Sequence, residues 1–301
     1  MSDLLRNAID AWHFPILGTM AVLVLFAIYL RGWTRLRRAA PRAPWNWRLT
    51  AFAGGLLALW LAIWSPLGAV DHALLTVHMI QHLVLMTVAA PLLLLGAPVM
   101  ILLRGLGARL LLGPSDRLLR ARPLRALADV ATHPVTCWCA ATLAVVAWHL
   151  PAAFELAMRS SSWHAFQRAT FLMAGLLFWW PVVQPWPAAA KWPRWSMPLY
   201  LFLASLPCDA LSAFFTFCGR PVYPAHLCGG ALAADARLAD QTGAGALMWF
   251  WVTIAYLVPA VWITIHLLMP AGEREQHAEK PRVRSLRLFQ AAGNSSPRGV
   301  S

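Results

Sequence analysis

The sequence predicts an all-α polytopic membrane protein of seven transmembrane helices, with its N-terminus outside and its C-terminus inside. Three observations predict it. Hydrophobic residues make up 59% of the 301 positions and charged ones only 12%, a balance too apolar for a water-soluble globule. The apolar residues gather into seven stretches, each close to the roughly 20 residues that cross a bilayer as a helix. The basic residues gather in alternate connecting segments, as Lys and Arg do on the cytoplasmic side.

The first stretch runs near residues 12–30. Asp3, Arg6 and Asp10 precede it, arginines follow it, and no small-residue cleavage site is evident, so it is expected to stay as a membrane helix. The second, near 49–67, closes at Pro66. The third, near 74–95, opens an uncharged run from Leu74 to Leu103, with Pro91 and Pro98 late in it; membrane helices tolerate proline where neighbours satisfy the freed carbonyls. The fourth, near 132–150, ends at Trp148-His149-Leu150-Pro151. The fifth, near 168–184, begins just after His164 and ends among Pro181, Pro185 and Pro187. The sixth, near 197–218, is interrupted by Asp209. The seventh, near 244–268, follows Asp240 and Gln241, and its Gly243 and Gly245 permit close helix approach. Residues 1–272 therefore read as one seven-helix membrane domain. The tail 273–301, basic and poor in apolar residues, reads as disordered cytoplasmic chain.

A net charge of +13 raises the question of nucleic acid, and the placement of the 25 basic residues answers it. Segments 31–48, 104–129, Lys191 with Arg194, and the tail hold 20 of them. Topology and contact with anionic lipid head groups account for that pattern, and no nucleic-acid partner is expected. With this orientation His13, His72, His78, His82, His149, His164 and His226 fall in the outer half or outer loops, and only His133, His266 and His277 lie inward.

The pair His78 and His82, in His78-Met79-Ile80-Gln81-His82, carries the strongest chemical signal. Imidazoles four residues apart project from one face of a helix and make a two-pronged metal face of the kind zincin helices use. His149 and His164 share their depth at neighbouring helix ends. A lone imidazole at a membrane interface is more often a hydrogen-bonding residue, which is the reading for His13, His72 and His226. Met79, Met86 and Met248 are soft ligands in principle, although thioethers in membrane helices mostly fill packing gaps. Asp209 is either a functional carboxylate or an acid bonded to a helix break at Pro207. Cys137, Cys139 and Cys208 lie in apolar spans and read as packing residues; Cys218 and Cys228 can pair as a disulfide in an oxidising compartment or bind metal with His226. There is no Gly-rich phosphate loop, no central Glu between the paired histidines, no Cys-x-x-Cys-His, and no nucleophile constellation. An enzyme is not expected.

These residues together resemble a family. The stretch Trp12 to Tyr29 with Pro15, the His78 to His82 motif followed by Ala90 to Pro98, Trp148 to Pro151 with Glu155, His164, Phe178-Trp179-Trp180-Pro181, Asp209, and Asp240-Gln241 leading to Gly245, Met248 and Trp249 are similar to the bacterial CtaG-type cytochrome c oxidase assembly proteins associated with the caa-type oxidase. The resemblance implies a multi-pass protein of the bacterial inner membrane that supports biogenesis of a haem-copper oxidase by binding or delivering copper at the periplasmic face. It implies oxidase subunits or a periplasmic copper chaperone as partners. On that reading His78, His82, His149 and His164, with Met248, are the metal ligands, and Gln81, Asp209, Asp240 and Gln241 orient them, since ligating imidazoles usually donate their other N–H to a carboxylate or amide. Two rivals remain from other classes: a b-type cytochrome holding haem between histidines of facing helices, and a small-molecule or proton transporter using Asp209.

Overall fold

The computed structural model describes residues 10, 12–39, 46–66, 68, 71, 74–106, 122–185, 192–223 and 234–269. Among them every regular element is helical: α1 (Ile16–Ala39), α2 (Asn46–Trp64), α3 (Leu75–Leu95), α4 (Pro98–Leu106), α5 (Arg122–Ala131), α6 (Pro134–His149), α7 (Pro151–Arg159), α8 (Ser161–Val183), α9 (Ser196–Phe217) and α10 (Ala234–Leu268). The tail 273–301, His72, His226, Cys228 and His277 lie outside the described residues.

Polarity is distributed inside out. Leu17, Leu23, Phe202, Leu206, Phe250, Leu257 and Trp262 face outward, whereas Asp71, His78, Gln81, His82, His164, Gln167, Ser212 and Gln241 are buried. Helices apolar on their outer faces need a lipid environment, because water would charge roughly 25 cal/mol for each Å² of that surface. Five helices, α1, α2, α3, α9 and α10, are long and apolar enough to cross a membrane, and α6 with α7, bent by 74° at Leu150, make a sixth if taken as one span. Helix α8, at 23 residues, is about 34 Å long but starts with His164, Gln167 and Arg168.

Each of the seven expected stretches lies on a helix, with four larger changes of boundary. Helix α1 begins at Ile16 and continues nine residues beyond residue 30, to Ala39, taking in Arg31, Arg35, Arg37 and Arg38. The run Leu74 to Leu103 is two helices, since Ala97 sits at φ 47° between them and Pro98 opens α4. Helix α8 begins at Ser161, so His164 lies within its first turn instead of before it. Helix α10 begins ten residues before Ala244, which puts Asp240 and Gln241 inside it.

Helix α3 is the centre of the molecule: 61% of its most apolar window is buried, against 17% for α1 and for α10. Its first half packs on α10 and its second on α2 and α8. Between the halves, Leu85–Ala89 forms a π-type turn, and Pro91 supplies the cause. Ala90 N–H reaches the Leu85 carbonyl, five residues back, and Pro91 has no N–H to offer the Met86 carbonyl. Trp179 of α8 donates its indole N–H to that carbonyl instead, at 2.9 Å. The two helices come this close because of Gly175, where a Cβ would stand 2.9 Å from Met86 Cα. Gly245 plays the same part between α10 and α9, with a Cβ there 2.7 Å from Thr216 Oγ1; Gly243 does not, its nearest neighbour being Thr76 Oγ1 at 3.7 Å.

Candidate metal centre

His78 and His82 sit in the first turns of α3, on one face, with their Nε2 atoms 2.7 Å apart and their rings edge to face. That contact is a hydrogen bond when one ring carries its proton on Nε2 and the other does not. Bound to one tetrahedral ion, the two nitrogens would separate to about 3.3 Å, a small ring rotation. Helix α8 lies against this face: the His164 ring stacks on His78 with centroids 5.5 Å apart. From the loop before α3 comes Asp71, its Oδ2 3.4 Å from His164 Nε2 and 3.9 Å from Arg168 Nη1.

Asp71, His78 and His164 each present a ligand atom, and these atoms all lie within 4.8 Å of one another with all three residues buried. A carboxylate removed from water needs a compensating charge, which Arg168 supplies in part. Two neutral imidazoles and a carboxylate suit a divalent transition-metal ion. His82 extends the group, since it touches His78, and its Nδ1 is buried with no hydrogen-bond partner among the described residues.

His149 and Met248 stand apart from this group. At the end of α6, His149 Nδ1 lies 2.7 Å from the Val145 carbonyl, and its Nε2 lies 3.4 Å from Met79 Sδ. Tyr223 donates its hydroxyl to the His149 carbonyl at 2.7 Å. Burial pushes the Tyr223 phenol above its ordinary value, so it stays protonated as that donor. His149 and Met248 line a cavity of about 30 Å³ with His82, and that side chain is the link between the two places.

Of the four expected orienting groups, none donates to or accepts from an imidazole in the described hydrogen bonds. Asp240 caps α3: its carboxylate accepts from the N–H of Leu75 at 2.6 Å and of Thr76 at 3.3 Å, and from the Thr76 hydroxyl at 2.6 Å. It therefore sets the register in which α3 presents His78 and His82. Gln241 accepts from Val222 N–H at 2.7 Å and donates to the Phe215 and Arg220 carbonyls, pinning the segment that carries Tyr223. Gln81 is buried and its amide has no hydrogen-bond partner among the described residues. Asp209 does not itself line the cavity, but it lies near enough to Cys208 and Tyr256, which do, to act on both electrostatically.

Sequence reasoning missed Asp71 and Arg168 as members of the site. Asp71 reads along the chain as a loop charge and Arg168 as the start of a span. A signal was present nonetheless, in an acid seven residues before His78 and a base four residues after His164, both next to apolar runs.

The chain matches the model of the cytochrome c oxidase caa3 assembly factor family over residues 27–269, a span that contains every residue of the centre. It is 29% identical over 185 residues to an uncharacterised protein of Mycobacterium leprae, covering 60% of this chain and 28% of that protein. It is 30% identical over 200 residues to similar proteins of Mycobacterium bovis and Mycobacterium tuberculosis, covering 63% of this chain and 29% of each. The chain thus spans less than a third of the length of these curated relatives. No solved structure matches it.

Proposed function

Because the chain belongs to the cytochrome c oxidase caa3 assembly factor family, we propose that it serves oxidase assembly as a non-enzymatic holder of copper, carried as cargo on Asp71, His78 and His164 with His82 beside them. The observation that supports this most is the convergence of imidazoles from α3 and α8 on one buried carboxylate, inside a molecule whose surface is made for lipid. Groups so placed are costly unless a partner compensates them, and a metal ion does so.

The proposal includes seven spans in the inner membrane: the five apolar helices, α6, and α8. The basic segments lie inside and the N-terminus outside, which puts α3's first turns, and the metal group with them, at the periplasmic boundary. Oxidase subunits or a periplasmic copper chaperone would meet it there. In purified protein loaded with cupric ion, His78→Asn with His82→Asn should lose stoichiometric cupric copper while retaining its thermal midpoint within a few degrees. Unchanged cupric content in that variant removes the assignment. The b-type haem alternative requires a slot between facing imidazoles; His78 and His164 instead stack directly on one another.

A further inference from the structure

We propose that the cavity beneath His82 is a second metal site, built for a soft monovalent cation of the cuprous class and distinct from the Asp71–His78–His164 group. Six nitrogen or sulfur donor side chains line it: Met79 and Met86 of α3, His149 of α6, Cys208 of α9, Met248 of α10, and His82. Four helices thus contribute three thioethers, a thiol and two imidazoles to a space of about 30 Å³, which exceeds the roughly 10–15 Å³ that one water-sized occupant requires.

The His149 tautomer gives the cavity its direction. A carbonyl only accepts, so the 2.7 Å contact with Val145 makes His149 Nδ1 the donor and leaves Nε2 of the neutral ring bare. That bare lone pair faces the Met79 sulfur at 3.4 Å. Two acceptors face each other there with no proton between them, and a cation relieves the arrangement. Handing the other ring N–H to a carbonyl is also how ligating histidines are oriented.

Donor chemistry selects the ion. Thioether and thiol favour cuprous copper over harder divalent ions, and three thioethers with a thiol outnumber the two imidazoles in the lining. The π-type turn at Leu85–Ala89 carries Met86, and turns of this kind recur at functional positions in helices. Simple gap-filling by methionine predicts neither the cavity nor the oriented imidazole. His82 belongs to both places, touching His78 at 2.7 Å while lining the cavity, so the two sites share one side chain.

The inference rests on the reading above for the identity of the cargo, and its test separates the two. The 301-residue chain in detergent is titrated with cuprous ion, under reductant, against a cuprous-specific chelator, and with cupric ion in parallel. In the wild type, copper K-edge absorption of the cuprous form should show sulfur scatterers. Met79→Leu with Met248→Leu, swaps that conserve volume, should weaken cuprous binding by at least about tenfold and leave cupric binding unchanged. A nitrogen and oxygen shell alone in the wild type, or unaltered cuprous affinity in the double variant, overturns the sulfur site. If His78→Asn with His164→Asn abolishes cupric binding but retains the sulfur-ligated cuprous ion, both sites stand. If cupric binding survives that substitution, the imidazole–carboxylate assignment falls and the sulfur site remains.

Discussion

Asp71 shows how one side chain organises the centre. It is fully buried between His164 and Arg168, and a buried pair that loses one member leaves the other charge stranded, at a cost of about 3–5 kcal/mol. Asp71→Asn should therefore lower the thermal midpoint markedly, and Asp71→Asn with Arg168→Gln should recover part of the loss. A double-mutant cycle on thermal unfolding checks it: additive effects would mean that the two groups are not coupled. His78 and His82 depend on a different residue, Asp240, which lies far along the chain and is the cap on the helix that bears them.

Among the elements, α3 decides the site because it is buried on most sides and carries four of the named donors, His78, Met79, His82 and Met86. Its shape follows from Pro91, the π-type turn and the Trp179 bond to the Met86 carbonyl. Gly175 of α8 permits that contact, and a methyl group there meets both Met86 Cα and the Ala90 side chain at about 3 Å. Gly175→Ala should cost on the order of 1–3 kcal/mol through overpacking and shift α3 against α8, which a fall in thermal midpoint together with weaker copper retention would report. A variant with native stability and native copper binding would show that the two helices have slack at this point.

At the scale of the whole molecule, orientation is the property with the widest consequence. With 20 of 25 basic residues on one set of segments, a fluorescent protein fused to the C-terminus should fold and fluoresce in the cytoplasm, and an alkaline phosphatase fused at the N-terminal side should be active in the periplasm. The opposite pattern would invert the molecule and put the histidines of α3 at the cytoplasmic boundary. The exposed apolar surface of α1, α9 and α10 sets the environment in which the polar interior is held.

The helical class, the position of each apolar stretch and the pairing of His78 with His82 were legible along the chain, because hydropathy over about 20 residues and a spacing of four are local properties. The partners of those residues were not. Whether His164 meets His78 or His149 meets Met79 depends on helix rotation and crossing, which come from glycine contacts, a proline-driven turn and a distant cap. For the same reason Asp71 looked like a loop charge and Met79, Met86 and Cys208 like packing residues: a thioether carries no sign of what stands opposite it until the helices are assembled. Composition settled that the chain belongs in lipid, and tertiary packing alone decided which of its few polar atoms share a space.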